Sequence, residues 1–224
     1  MNTIEENKKP FFIFIEGADG VGKSTTSALL KQILQEQYKK NVDQESIMQF
    51  TEIGTSIRNI GITDDTVSDE LKFLGYCFST FYGLDKLNKA KQEQDFVIVD
   101  RSHASTYAQS ICASQVSAKT KTCMISIFND INTKFNIDFK DRYLFVNLTA
   151  SAEGALERLH KDRGEFDVLE KRGKGYQEMI KEGYRAFFLH HVRKKELLSI
   201  DTETNNQHEV VADIIECLIQ KGKL

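Results

Sequence analysis

Short apolar runs alternate with longer stretches of helical period along this chain. Phe11–Ile15, Ile47–Phe50, Phe96–Val99, Tyr143–Leu148 and Leu197–Ile200 are each brief and rich in Val, Ile, Leu or Phe. They lack strict alternation, which predicts strands buried on both faces of a parallel sheet. Helical patterns fill the gaps: Lys23–Tyr38, Ser68–Gln92, Ser102–Gln115, a segment around Ile125–Phe135, Ala152–Lys161, Glu170–Glu196 and Glu209–Lys221. Strand following helix in this order predicts βαβ units, hence an α/β fold with a five-stranded parallel sheet covered by helices on both faces. The polar stretch Ser114–Lys121 breaks the pattern and reads as a loop.

With 224 residues, 40% of them hydrophobic, the chain can bury a sizeable core, and one domain over 1–224 is the expected organisation. The net charge of −3 offers no global field toward nucleic acid or an anionic membrane, so neither is expected as a partner. The opening MNTIEENKKP is polar and does not read as a secretory signal, and no run is long enough to span a bilayer. Cys77, Cys112, Cys123 and Cys217 are scattered without a C-x-x-C pair, which reads as buried free thiols in a reducing cytoplasm rather than as a zinc site. His190 and His191 lack a ligand partner nearby and read as a solvated helix end.

The chemistry is concentrated early. Residues 11–24 read FFIFIEGADGVGKS, an apolar strand running into G-x-x-x-x-G-K-S. Glycines at 17, 20 and 22 let the backbone turn tightly, and a helix opening at Lys23 presents an N-terminus that favours anions. The segment Gly17, Ala18, Asp19, Gly20, Val21, Gly22, Lys23, Ser24 and Thr25 is therefore the candidate phosphate cradle. Lys23 would reach the β/γ-phosphates of ATP, and the Ser24 hydroxyl would bind Mg²⁺.

Two further constellations gain meaning beside that loop. Phe96–Val99 ends in Asp100, where a second Mg²⁺-associated carboxylate belongs in a phosphate-loop fold. Arg101 follows, at the strand end that faces the ligand crevice, with a planar fork suited to phosphate oxygens or to a salt bridge with a loop acid. Farther on, Arg158, Lys161, Arg163, Lys171 and Arg172 interleave with acids around Gly164. That stretch, about 158–172, reads as a mobile cationic lid that closes over a nucleotide and excludes water; alone it would read as a charged turn.

These residues resemble the thymidylate kinase family over nearly the whole chain. Glu16-Gly17-x-Asp19-Gly20-x-Gly22-Lys23-Ser24-Thr25 matches its opening motif, Asp100-Arg101-Ser102-x-x-Ser105 its D-R-x-x-x-S, and Arg163-Gly164-x-x-Asp167-x-x-Glu170 its lid. Tyr184 falls where the family has a tyrosine, and Ile200-Asp201 with the following polar loop resembles the adenine-side segment. The resemblance implies a phosphate-loop three-layer sandwich with a mobile lid, ATP and Mg²⁺ as cofactors, a small-molecule nucleotide acceptor, a homodimer formed through the helix near Ser68–Gln92, and a cytoplasmic home. It implies that Asp19 approaches the acceptor sugar and Mg²⁺, that Arg101 holds the acceptor phosphate, and that Ser105 with Thr106 or Gln109 lines the base pocket. With Gly20 in the loop and Arg158, Lys161 and Arg163 in the lid, the chain resembles the lid-arginine type, so Lys23, Arg158 and Arg163 would stabilise transition-state charge.

Two departures bear on the acceptor. The family's R-E-P-G-G-T is reduced to Thr51-Glu52-Ile53-Gly54-Thr55, and no arginine occurs between Arg58 and Arg101. Each charged hydrogen bond lost would weaken monophosphate binding by roughly 1.5–3 kcal/mol. Arg58 stands as a substitute for one. The expected reaction is thus transfer of the ATP γ-phosphate to a deoxynucleoside monophosphate, dTMP first, giving dTDP. The alternative is a deoxynucleoside kinase in which Glu52 is the general base; Glu52 reads equally as a helix acid near Gly54. A GTPase lacks support, because Asn88-Lys89-Ala90-Lys91 misses the Asp of N-K-x-D, and a silent scaffold is disfavoured by Lys23 and Ser24. The stretch Lys119–Ile137 is longer than the family pattern and carries no functional reading.

Overall fold

The computed structural model describes residues 9–163 and 170–224, without the side chains of 136–138, 162, 163 and 170. In chain order, β1 (Phe11–Glu16) leads through the loop to α1 (Lys23–Glu36), followed by β2 (Val42–Ser46), α2 (Glu52–Thr63), α3 (Asp69–Ala90) and β3 (Phe96–Asp100). A single turn α4 (His103–Ser105) runs into a π-helical stretch, Thr106–Cys112, and then α5 (Ala118–Asp138), β4 (Tyr143–Thr149) and α6 (Ala152–Arg163). The 3₁₀ turn Glu170–Arg172 opens α7 (Gly173–His191), and β5 (Leu197–Asp201) and α8 (Gln207–Gln220) complete the fold.

The five strands form one parallel sheet in the order β2-β3-β1-β4-β5. Alternate residues of the central strands feed opposite faces, as the period of two requires. Phe12, Phe14, Val97, Val99, Tyr143 and Phe145 pack with α3, α5, α7 and the π-helical stretch. Ile13, Ile15, Ile98, Leu144, Val146 and Leu148 pack with α1 and α8. The result is the three-layer α/β arrangement expected, with β1 wholly buried at its centre.

Four differences from the sequence reading are corrections. The second strand is Val42–Ser46, not Ile47–Phe50. It is an edge strand paired only with β3, so VDQES carries a single buried apolar residue, while Ile47 fills the core just beyond it. Helix α2 had no counterpart in the apolar pattern; Thr51 caps it by accepting from the Gly54 amide at 3.1 Å. The loop read at Ser114–Lys121 is half helix, because Ser117 caps α5 through the Thr120 amide. The helix read over Ser102–Gln115 is one α turn and then the π stretch.

The unexplained stretch 119–137 lies wholly within α5, whose Phe128 and Phe135 close the core over His103 and Tyr107. His103 is buried among Phe81, Phe128, Phe135, Phe145 and Phe187, and burial pulls it down to about pH 3, so it sits there neutral as a packing residue. His190 ends α7 exposed as expected, whereas His191 is half-buried against the Tyr107 and Phe187 rings. The four cysteines are free, and Cys123 is exposed rather than buried. Among the described residues, no helix is long and apolar enough to cross a membrane.

Candidate active site

The loop between β1 and α1 turns where the sequence placed it. Gly17 and Gly20 have φ of 137° and 82°, and a β-carbon on either would collide with a carbonyl, that of Leu148 or of Ala155 respectively. Only glycine tolerates both the φ and the approach. Gly22, also left-handed, stands at the N-cap of α1, and no side chain among the described residues caps that helix, in contrast to Thr51 on α2, Ser68 on α3 and Asn206 on α8. The first amides of α1 are therefore left for an anion.

Lys23 is buried, donates from Nζ to the Ala18 carbonyl at 2.6 Å, and lies 3.6 Å from Asp19. Burial lowers its pKa to about 8, with Arg101 pushing the same way and Asp19, Asp100 and Glu16 opposing. Ser24 Oγ donates to Asp100 Oδ2 at 3.1 Å. The other oxygen, Oδ1, is buried with no hydrogen-bond partner among the described residues. A hydroxyl beside an orphaned carboxylate oxygen is a hard-oxygen pair of the kind Mg²⁺ takes, so these residues fit the ion. No cluster of three or more His, Cys, Asp or Glu side chains stands near enough to hold a metal by itself among the described residues, so the nucleotide and water would have to complete any coordination.

Arg101 adopts φ of 68°, a left-handed backbone in a non-glycine residue, and its amide is pinned to the Ile15 carbonyl at 3.1 Å. That turn throws the guanidinium across the cleft. One nitrogen donates to Asp19, and another to Ser105 Oγ at 3.2 Å and Tyr184 Oη at 3.4 Å. Beneath it lies Glu16, fully buried at the end of β1. Its Oε1 accepts from Ser102 at 2.5 Å; its Oε2 accepts from Ser105 at 2.7 Å and from Tyr184 at 3.2 Å. Desolvation outweighs those bonds and raises the Glu16 pKa. Sequence reasoning did not assign this carboxylate a role; the signal was a charged residue directly ending an unbroken apolar run.

A cleft of about 550 Å³ opens in front of the loop, a volume suited to a nucleotide-sized ligand. Asp19, Gly20, Gly22, Lys23, Ser24, Thr25, Arg58, Asp100, Arg101, Ser105, Thr106, Gln109 and Arg158 all line it. Gly17, Ala18 and Val21 lie on the opposite side of the loop. Among the described residues, four cations face two carboxylates in this cleft, a balance that favours a polyphosphate. Its far end is walled by Tyr76, Thr80, Thr106 and Gln109, with Thr80 and Thr106 hydroxyls bonded at 3.0 Å. Tyr76 and Thr80 were missed; their spacing of four on α3 put them on one helix face.

Two expectations need adjustment. Glu52 is exposed on the first turn of α2 and is not part of the cleft wall. Arg58, one helical face away, is. In the lid stretch, Arg158 is clasped by the segment after β5, donating to Thr202 Oγ1 at 3.1 Å and to its carbonyl at 2.9 Å. Arg172 pairs with Asp69 of α3 at 2.9 Å and covers the Tyr176 ring. The Arg163 side chain and residues 164–169 lie outside the described residues.

Comparison with known proteins agrees with this geometry. The thymidylate kinase family model matches residues 15–214. A thymidylate kinase from Campylobacter hominis is 27% identical over 208 residues, covering 91% of this chain and 99% of the relative. One from Mycoplasma mobile is 34% identical over 178 residues, covering 77% and 81%. The solved thymidylate kinase of Candida albicans superposes with a TM-score of 0.70 at 18% identity, covering 96% of this chain and 93% of that one, which shows the shared fold. With its phosphate loop, its Asp100-Arg101 turn and a family match spanning most of its length, this chain belongs to the thymidylate kinase family.

Proposed function

We propose that the chain transfers the γ-phosphoryl group of ATP to dTMP, giving dTDP. The observation that carries this reading is the convergence of Arg58 and Arg101 with Lys23 in one cleft, from which Glu52 is excluded. Phosphate oxygens of the acceptor are already ionised and need no base, whereas a nucleoside hydroxyl would need one. Arg58 and Arg101 supply the cations that a monophosphate requires, and the exposed Glu52 leaves the deoxynucleoside reading without its base.

In the reaction, the loop amides and Lys23 hold the β- and γ-phosphates. Arg101, fixed by Asp19, Ser105 and Tyr184, presents the acceptor phosphate in line. An acceptor oxygen bonds to the γ-phosphorus as the bond to the β,γ-bridging oxygen breaks, and ADP leaves with that electron pair. Lys23 and the lid cations Arg158 and Arg163 offset charge on the moving group. Ser24 and Asp100 would hold Mg²⁺, which when bound neutralises phosphate charge. Asp19 stands between Lys23 and Arg101 and keeps both oriented toward the acceptor side. Ser105, Thr106 and Gln109 serve the acceptor, and Ile200-Asp201 with the loop that follows serves the adenine side. Residues 1–224 act as one domain with a lid at about 158–172, working in the cytoplasm.

The working unit in this reading is a homodimer. Leu71, Leu74, Phe78 and Tyr82 form an exposed stripe along α3, with the Phe78 and Tyr82 rings stacked 5.7 Å apart, and Ile53 and Ile60 of α2 are exposed as well. Apolar surface of that kind supports burial against a second copy.

The test is coupled turnover with ATP and Mg²⁺ on dTMP, thymidine, and the other deoxynucleosides and their monophosphates. Fastest use of dTMP is the expected result. Faster use of thymidine would overturn the assignment.

A further inference from the structure

The phosphate loop has two sides. In front lies the nucleotide cleft; behind it is a separate cavity of about 610 Å³, walled by the back of the loop at Gly17, Ala18 and Val21. The second cavity arises from the way α7 is seated. Gly183 lets that helix press closely on Ala108 and Cys112 of the π-helical stretch, and its other flank, carrying Gln177, Lys181, Arg185 and Phe188, faces this space across from the ends of β4 and β5.

Three observations say what the space would accept. Its volume lies in the range of ligand pockets, and Phe188 and Leu197 give it an apolar interior. Gln177 lines it at 2% exposure, and its Oε1 has no hydrogen-bond partner among the described residues. Buried acceptors are almost always satisfied, so this one calls for a donor from within the cavity. Among the described residues, the mouth carries Lys181, Arg185 and Lys194 against one acid, Glu182, to which Arg185 donates at 3.4 Å. The mouth therefore favours a negative charge.

We infer that this cavity is a second ligand site, taking a small planar apolar anion with an N–H or O–H donor, and that the phosphate loop is the wall it shares with the nucleotide cleft. The apolar body lies against Phe188, the donor meets Gln177 Oε1, and the anionic group stays at the mouth near Lys181 and Arg185. None of the residues that hold the phosphates is needed to bind it.

The probe is anilinonaphthalene sulfonate, in the isomer whose amine and sulfonate lie at opposite ends of the naphthalene. It is titrated into the full chain by fluorescence, with and without a saturating non-hydrolysable ATP analogue. One dye per chain should bind, and the nucleotide should leave it in place. Ser199→Phe, which fills the cavity from the β5 edge, should abolish binding. Reversing both mouth cations, Lys181→Glu with Arg185→Glu, should weaken it at least about tenfold. Phe78→Glu on α3, outside the cavity, should leave the affinity of this one site unchanged, whatever weaker binding the uncovered α3 stripe adds. The inference is overturned if the dye keeps its affinity in either cavity variant, if Phe78→Glu removes it, or if the nucleotide displaces it one for one.

Discussion

Ser105 Oγ lies 2.7 Å from Glu16 Oε2, and through that bond a carboxylate buried at the end of β1 steadies the turn that carries Arg101. Ser102 and Tyr184 address the same carboxylate, so three hydroxyls depend on one acceptor. Glu16→Gln replaces an oxygen acceptor with an amide donor and frees at least one of them. Turnover with dTMP should fall about tenfold or more, the cost of losing charged hydrogen bonds that position a reacting group. Stability should move the other way. Burial raises the Glu16 pKa above its ordinary 4.5, so the protonated form is the one the fold prefers. Its contribution is fully present below 4.5 and is lost as pH rises through the raised value. At neutral pH the neutral glutamine should therefore hold or increase the melting temperature, measured by calorimetry. A joint drop in both quantities would refute this account.

Lys23 gives the pH dependence. Its pKa near 8 in the nucleotide-free protein means that it is largely charged at pH 7 and largely neutral at pH 9. A polyphosphate favours the charged form, so above about pH 8 binding must take up a proton. Affinity for ADP should then decline by up to about tenfold per pH unit, with proton uptake visible in calorimetry run in buffers of different ionisation enthalpy. Lys23→Ala should remove that dependence and cost about 10²–10³-fold in turnover. A flat affinity between pH 7 and 9 in the parent chain would refute the lowered pKa.

Asp100→Asn leaves the shape of the cleft intact and removes half of the hard-oxygen pair with Ser24. The Mg²⁺ concentration that half-saturates turnover should rise several-fold, while nucleotide affinity measured without the ion changes little. An unchanged Mg²⁺ requirement would place the ion elsewhere.

The α3 stripe offers a test of assembly. Phe78→Glu puts a charge where Phe78 and Tyr82 stack on the surface. Light scattering should give a dimeric mass for the parent chain and a monomeric mass for the variant. A monomeric parent would remove the proposed interface.

Gly183→Ala probes how α7 is seated. A β-carbon there would stand 2.8 Å from Ala108 Cα and 2.9 Å from Cys112 Cβ, so the helix must shift. Overpacking of this kind costs about 1–3 kcal/mol. Tyr184 is the next residue, so the Michaelis constant for dTMP should rise together with the loss of stability. A variant with parental stability and kinetics would show that the contact is slack.

Much of the framework is legible in the sequence. Strands β1, β3 and β4 lie inside the sheet, are largely buried and therefore appear as apolar runs, while the edge strand β5 showed itself only through Leu197, Leu198 and the buried Ile200. The phosphate loop and the Asp100-Arg101 turn were readable because their geometry demands particular residues at fixed spacing. Strand β2 was hidden because an edge strand with polar neighbours loses that signature, and α2 because its cap, Thr51, sits inside a shortened motif. The π-helical stretch has no period of its own in the sequence. The Glu16 hub was hidden for a different reason: its three partners come from two distant segments, which only the packing of α7 on the π stretch brings together.

The left-handed backbone at Arg101 sets a diagnostic for related chains. Such a conformation is uncomfortable for any residue with a β-carbon, and it persists here because the Ile15 carbonyl and the surrounding hydroxyls hold it. Glycine at that position would keep the main-chain bond and relieve the discomfort, at the sole expense of the guanidinium. A duplicate freed from phosphoryl transfer could drift there early without unfolding. Gly at 101 in a sequence that still carries Lys23 and Ser24 would thus mark a descendant that grips nucleotides but has stopped passing phosphate on.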